Sequence, residues 1–105
     1  MKTPIELIQE ERERQINKEG WTRNRDDNIH FQGNLAKAAA CYASPTTLFA
    51  VECSNDGKEF VFEDAWPWAS RWDKRKKHSR MRQLQIAGAL IVAEMERLQR
   101  LGEDE

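Results

Sequence analysis

The chain has 105 residues, of which 39% are hydrophobic and 33% are charged, and its net charge at pH 7 is -1. This length is typical of one domain with one core, and four Trp and four Phe are too many large apolar groups for a disordered chain. A nearly neutral chain has no general attraction to polyanions, so we do not expect a nucleic-acid partner.

The chain has no apolar run near the roughly 18 residues needed to span a bilayer. It has no recognisable signal peptide either, and Cys41 and Cys53 show no C-x-x-C spacing. We therefore expect a cytoplasmic protein with reduced thiols and without a membrane partner.

The first predicted helix covers residues 4–18 and begins with a capping box, Thr3-Pro4-Ile5-Glu6. An apolar stripe at helical spacing, with the stem of Arg12 inside it, is formed by Ile5, Ile8 and Ile16. The opposite, solvent-facing side is expected to carry Glu10, Glu11, Glu13 and Arg14.

The loop over residues 19–33 is the first candidate binding site. Its guanidinium groups suit phosphate, its aromatic face suits a base, and its carboxylates can accept from ribose hydroxyls. The candidate ligand-binding residues here are Trp21, Thr22, Arg23, Arg25, Asp26, Asp27 and His30. The alternative is structural: Trp21 fills the core, an aspartate caps a turn and Arg25 forms a surface ion pair.

An alanine-rich helix is predicted over residues 34–43, where small side chains let another backbone approach closely. A β-hairpin is predicted over residues 46–63, with its turn at Ser54-Asn55-Asp56-Gly57. Because an isolated hairpin is marginally stable, we expect it to lie against the helices.

A Trp-rich loop is predicted over residues 64–78. Three indoles among basic residues leave three interpretations open, namely core, interface or stacking platform for a ligand. The candidate ligand-binding residues of this loop are Trp66, Trp68, Arg71 and Trp72.

The last predicted helix covers residues 79–101. Its buried stripe is expected to be Leu84, Ala87, Ile91, Met95 and Leu98, and Ala87-Gly88-Ala89 is expected to contact the alanine-rich helix closely. The predicted fold is therefore α+β: three helices packed with a two-stranded β-hairpin in a single small domain, residues 1–105.

No group of residues predicts catalysis. Cys41, His30 and Asp27 have the types of a nucleophile, a base and an orienting group, but Cys41 lies in a helix expected to be buried, where its pKa would be raised. The spacing of His30 and His78 supports no metal site. We expect a binding protein rather than an enzyme, with no cofactor and no metal.

Several motifs resemble a family of small proteins encoded in bacteriophages and prophages. They are Arg12-x-Arg14-Gln15, Glu19-Gly20-Trp21-Thr22 with Asp26-Asp27, Ala38-Ala39-Ala40-Cys41-Tyr42-Ala43, Trp66-Pro67-Trp68, and Ala87-Gly88-Ala89-Leu90-Ile91-x-Ala93-Glu94. The resemblance covers most of the chain and implies a phage accessory protein.

The front half is also similar to the ryanodine-receptor repeat domain, through Gly20-Trp21-Thr22, Arg25-Asp26-Asp27 and His30. That resemblance implies a small α+β unit and a nucleotide or ADP-ribose-type ligand. It leads to the hypothesis of a phage-type protein that binds an ADP-ribose-like or cyclic nucleotide and sequesters a host defence signal.

The alternative hypothesis is a protein-interaction module that inhibits or adapts a host enzyme or nucleic-acid machine. Its surface would be the Trp-rich basic segment 66–82. A host protein partner and a homodimer are both open at this point.

Overall fold

A computed structural model of the chain describes residues 1–19, 34–53, 57, 60–68 and 73–102. The helices in these ranges are α1 (Pro4–Glu19), α2 (Asn34–Ala43) and α3 (Arg80–Arg100), and a 3-10 turn covers Arg75–Lys77. The strands are β1 (Phe49–Cys53) and β2 (Phe60–Asp64). Within the same ranges, no helix is both long enough and apolar enough to cross a bilayer.

Side chains define where α1 and α3 begin. Thr3 Oγ1 accepts from the Glu6 backbone N–H at 3.2 Å, and Glu6 Oε1 accepts from the Thr3 backbone N–H at 3.4 Å. This reciprocal pair confirms the predicted capping box. At α3, Ser79 Oγ accepts from the Arg82 backbone N–H at 3.2 Å, so Ser79 is the N-cap and the helix begins at Arg80.

The hydrophobic core lies between α2 and α3. Its buried members are Leu35, Ala38, Ala39 and Tyr42 from α2, and Ile86, Ala87, Leu90 and Ala93 from α3. Four of these eight residues are alanine, which allows the two helix backbones to approach closely. The expectation that Ala87 packs against the alanine-rich helix is confirmed.

The contact between α1 and α3 contains buried charged groups. The side chain of Glu11 has no exposed surface, and its carboxylate accepts from Arg14 at 2.7 and 2.9 Å and from Arg82 at 2.5 Å. Gln15, also buried, donates to Glu11 at 3.2 Å, and Arg12 Nε donates to Glu96 Oε1 at 2.9 Å. Burial raises the pKa of Glu11, but the hydrogen bonds from Arg14 and Arg82 outweigh it and the net pKa is lowered.

Gly88 contacts α1 rather than α2, which corrects the expected partner of the Ala87-Gly88-Ala89 step. A Cβ placed on Gly88 would lie 2.6 Å from Ile8 Cδ1 and 2.8 Å from Ile8 Cγ1. The missing side chain therefore makes room for Ile8 at the crossing of α1 over α3.

The predicted α+β class is wrong, because the described fold is an all-α core. Among the side chains whose burial is described, every core residue belongs to a helix, and β1 and β2 form only a short antiparallel ribbon in which Phe49 pairs with Asp64 and Cys53 with Phe60. Among the described residues the ribbon has no extensive contact with any helix, and Leu48 and Phe49 at its start are exposed.

Two predicted faces are also corrected. Leu84, Ile91 and Met95, expected in the buried stripe of α3, are exposed, and the buried positions are Ile86, Ala87, Ala89, Leu90 and Ala93. On α1, Ile5 is exposed while Glu11, assigned to the solvent side, is buried. Helix α3 has two apolar faces, and periodicity alone does not say which one α2 covers.

Candidate functional site

Most of the predicted site residues lie outside the described residues. These are Trp21, Thr22, Arg23, Arg25, Asp26, Asp27 and His30 of the first loop, and Arg71 and Trp72 of the second. Their assignment to a ligand stays a prediction. Trp66 and Trp68 are the two predicted site residues that the structure describes.

Trp66 and Trp68 are half-buried and pack against the core formed by α2 and α3. Their rings meet edge to face, with centroids 5.3 Å apart, and Trp66 also meets Tyr42 edge to face at 5.7 Å. Of the three interpretations left open for the tryptophans, this packing favours the core for these two. A direct ligand contact by either ring stays a prediction.

A cluster of ionised side chains lies beside these rings and joins the end of β2 to the 3-10 turn. Arg75 Nε donates to Asp73 Oδ1 at 2.7 Å, and Arg75 Nη2 donates to Asp64 Oδ2 at 2.9 Å and to Asp73 Oδ2. The guanidinium carbon of Arg75 lies 5.2 Å from the centroid of Trp66, within the range of a cation–π contact. Arg75 is thus held by two carboxylates and an aromatic face.

The guanidinium of Arg75 and the carboxylate of Asp73 stabilise each other as ions. The hydrogen bond to Asp73 raises the pKa of Arg75, against a smaller opposing effect of burial. The same hydrogen bond holds the pKa of Asp73 below its usual value of 3.8, again against burial. Near neutral pH this cluster therefore has two negative charges and one positive charge in fixed positions.

A pocket of about 350 Å³ opens next to this cluster. Its size lies at the small end of the range for ligand sites, roughly 300–1,000 Å³. The lining residues come from the end of α2, the segment after it, the end of β2, the 3-10 turn and the start of α3. They are Cys41, Ser44, Pro45, Thr46, Thr47, Asp64, Asp73, Arg75, Lys76 and Gln83.

Hydrogen bonds connect the elements that form the pocket. Gln83 Nε2 donates to the Arg75 carbonyl at 2.8 Å, which joins α3 to the 3-10 turn. Arg80 donates to the Tyr42 carbonyl at 3.2 Å and to the Ala43 carbonyl, which satisfies carbonyl groups at the end of α2. Ser44 Oγ donates to the Thr46 carbonyl at 2.6 Å and orders the segment that follows. The pocket walls are therefore held by contacts that need no ligand.

The one thiol of the lining, Cys41, is poorly suited to nucleophilic attack. Cys41 is free and only 2% exposed, and burial raises the pKa of its thiol, which lowers its thiolate fraction. Within the described ranges, no group of three or more His, Cys, Asp or Glu side chains could hold a metal ion. The lining offers hydroxyls, carboxylates, an amide and cations, which suit hydrogen bonds to a polar ligand.

Comparison of the chain with protein-family models, with curated proteins and with solved structures finds no match. The resemblances to a phage protein family and to the ryanodine-receptor repeat therefore stay expectations from sequence motifs.

The sequence prediction missed the pocket residues, above all Asp64, Asp73 and Arg75. One signal for them was available: Asp73 is the single acid among seven basic residues from Arg71 to Arg82. An isolated acid in a basic run is a natural partner for a nearby guanidinium. Its second partner, Asp64, is eleven residues from Arg75, and the fold is needed to bring these two together.

Proposed function

We propose that this protein binds a small, polar, nucleotide-derived ligand and does not transform it. The observation that carries the proposal is the pocket of about 350 Å³ whose Asp64, Asp73 and Arg75 are already fixed by mutual hydrogen bonds. Groups that are ordered before binding lose little conformational entropy when a ligand arrives. This favours specific recognition by a small site.

The charges of the lining indicate which part of such a ligand each group would contact. Because the charge of Arg75 is balanced by two carboxylates, the exposed Lys76 is the better contact for a phosphate. Asp64 is nearly half exposed and can accept from the hydroxyls of a ribose. A nucleoside carrying a phosphate has both groups.

The biological setting is part of the same proposal. The sequence motifs resemble phage proteins, and a protein that binds a nucleotide signal without turnover can lower its free concentration in the host cytoplasm. A phage-type accessory protein that sequesters a host defence signal fits this chemistry. The loop with Arg23, Arg25 and Asp27 stays a second candidate for contact with phosphate and ribose.

Calorimetric titration with ADP-ribose and with a cyclic dinucleotide as probes tests the proposal. We expect at least one probe to bind, and Asp64→Asn with Lys76→Ala to weaken it by about tenfold or more, which is about 1.4 kcal/mol. Lys37→Ala, an exposed lysine of α2 outside the pocket, is the matched control and should bind as the wild type does. Arg25→Ala with Asp27→Ala measures the contribution of the loop.

Two results would contradict the assignment. If the folded variant Asp64→Asn/Lys76→Ala binds with unchanged affinity, the ligand does not bind in this pocket. If a probe is recovered as a cleaved product, the protein transforms its ligand. Far-UV circular dichroism of each variant separates a lost site from a lost fold.

A second candidate function is supported by the charge of the segment around the 3-10 turn. Lys74, Lys76, Lys77 and Arg80 are all exposed there. Such a surface fits the alternative of a module that docks on an acidic host protein. Because Trp66 and Trp68 pack on the core, this module would bind through charge more than through aromatic groups, and its binding should weaken as salt is raised.

A further inference from the structure

The polar groups that line the pocket divide into those that the fold already uses and those that are open to a ligand. The amide of Gln83 is used, because its nitrogen donates to the Arg75 carbonyl and its oxygen accepts from Arg80. Ser44 Oγ is used as well, since it donates to the Thr46 carbonyl and accepts from the Thr46 N–H. These groups shape the pocket and have few hydrogen bonds left for a ligand.

Arg75 is a lining residue that the fold uses only in part. Its Nε and Nη2 make three side-chain hydrogen bonds, two to Asp73 and one to Asp64. The third nitrogen, Nη1, carries two N–H groups and donates to none of the residues that the structure describes. Because the side chain of Arg75 is only 13% exposed, these N–H groups have little water around them. Nη1 is nevertheless not sealed off, so a ligand in the pocket can reach it.

The charge around Nη1 determines which kind of acceptor suits it. Arg75 is bound to two carboxylates, and the three ionised groups together carry one negative charge. A phosphate at Nη1 would lie close to both carboxylates and would be repelled by them. A carbonyl oxygen or a ring nitrogen accepts from the same N–H groups without that repulsion. The exposed Lys76 of the same lining is left for the phosphate.

Among the nucleobases, guanine has an edge with two adjacent acceptors and no donor. Its O6 and N7 both accept there, whereas adenine has an amino donor beside N7. Arginine bound to O6 and N7 of guanine is the commonest specific contact between a protein and a base. The two N–H groups of Nη1 match this edge, while an adenine in the same place would bring its amino donor towards another donor.

We propose that Arg75 recognises the base of the bound nucleotide through Nη1, and that guanine is the base it selects. This assignment, which rests on the proposed function, also orients the ligand in the pocket, with its base at Arg75 and its phosphate at Lys76. Pro45 and the methyl groups of Thr46 and Thr47 line the same pocket and offer apolar contact to a base.

Calorimetric titration of the wild-type protein with GMP, IMP, AMP and 7-deaza-GMP tests which atoms of the base are recognised. We expect GMP to bind about tenfold or more tightly than AMP, because a good arginine–guanine contact discriminates by at least roughly that factor. IMP keeps O6 and N7 but lacks the 2-amino group, so it should bind like GMP. In 7-deaza-GMP a carbon replaces N7, and we expect its binding to be several-fold weaker than that of GMP.

The possible failures of this titration have different meanings. If AMP binds as tightly as GMP, the selection of guanine is wrong while nucleotide binding stands. If IMP binds as weakly as AMP, the 2-amino group is recognised instead of O6 and N7, and the role of Arg75 is wrong. If none of the nucleotides binds, the proposed function fails, and the base contact fails with it.

Two variants separate the base contact from the phosphate contact. Lys76→Ala is the control and should weaken GMP and AMP by the same factor, which leaves the preference for GMP unchanged. In Arg75→Lys the ammonium is held by Asp64 and Asp73 and the Nη1 group is lost, so the preference should fall to about twofold or less. A purely structural role of Arg75 would weaken both nucleotides equally, so an unchanged preference in the folded variant would overturn the proposal. If far-UV circular dichroism shows that Arg75→Lys does not fold, the titration of the wild type decides.

Discussion

Helix α3 is held on two sides by contacts of opposite chemistry. Towards α2 it presents Ile86, Leu90 and Ala93 to a surface rich in alanine. Towards α1 it meets a buried carboxylate, Glu11, whose oxygens accept from Arg14 and Arg82. The same helix therefore takes part in a contact of apolar packing and in a contact of buried charge.

The two contacts of α3 are expected to contribute differently to the stability of the fold and to the arrangement of its helices. Burial of apolar surface contributes about 25 cal/mol per Å² and is not directional. A buried ion pair gains little net free energy, because desolvation offsets much of the attraction, but it is costly to leave one partner alone. We infer that the α2–α3 contact provides most of the stability, and that the α1–α3 contact fixes how α1 crosses α3.

The largest expected effect is in the apolar contact. Leu90 has no exposed surface, so Leu90→Ala leaves a cavity and should lower the free energy of unfolding by about 2–5 kcal/mol. Urea denaturation measures this loss. Leu101→Ala, at an exposed leucine just after the same helix, is the control and should change stability by about 0.5 kcal/mol or less. If the two substitutions lower the free energy of unfolding equally, Leu90 does not contribute to the core as described.

A smaller effect is expected in the charged contact. Glu11→Ala leaves Arg14 and Arg82 without their shared carboxylate, but both arginines are about one third exposed and can turn to water. We expect a loss of about 1–3 kcal/mol, below the value for a fully buried pair. The control is Glu10→Ala, at an exposed carboxylate paired with Lys2, which should be nearly neutral. If Glu11→Ala lowers the free energy of unfolding more than Leu90→Ala does, the α1–α3 contact and not the α2–α3 contact provides most of the stability.

The charged contact should also depend on pH. Because the folded-state pKa of Glu11 is lowered from 4.5, its stabilising contribution is fully present above that value and is lost as the pH falls through the folded-state pKa. The stability difference between wild type and Glu11→Gln should therefore shrink as the pH is lowered from 7 to 3. Asp73 keeps its own pH dependence in both proteins, so the difference isolates Glu11. A difference that stays constant would show that the carboxylate charge does not matter.

The smallest effect is expected at Gly88. Alanine is better than glycine in a helix by up to about 1 kcal/mol, but its Cβ would displace Ile8. Gly88→Ala should therefore stabilise the protein more in an Ile8→Ala background than in the wild type, with a coupling of roughly 0.5–1 kcal/mol. A double-mutant cycle in urea measures this value. Strict additivity would mean that Ile8 does not pack on Gly88.

Local signals predicted the helix ends well, but not which surfaces are buried. The capping box at Thr3 depends on residues three positions apart, so the sequence reveals it. The last helix was predicted from residue 79, whereas Ser79 is its N-cap and the helix begins one residue later. Large apolar residues usually lie in the core, and for this reason the sequence predicts a buried stripe at Leu84, Ile91 and Met95. Which residues of α3 are buried depends instead on the small residues of α2, and the periodicity of α3 contains no information about them.

The buried state of Glu11 and the pocket could not be predicted from local sequence either. Glu11 is buried because Arg82, 71 positions away, reaches its carboxylate. The pocket depends on Asp64 and Asp73 converging on Arg75, which needs the end of β2 beside the 3-10 turn. The class of the fold was missed for a related reason: hairpin motifs indicate strands, but they do not tell whether the strands join the core.

The proposed function is the binding of a nucleotide-derived molecule without its transformation. The most direct test is to incubate the protein with ADP-ribose isomers and with cyclic dinucleotides, remove the protein-bound fraction, and then release it by heat. We predict that one ligand is depleted from solution, is recovered chemically intact on heating, and stays in solution with Asp64→Asn/Lys76→Ala. Recovery of every ligand in the free fraction, or of a converted product, would contradict the account.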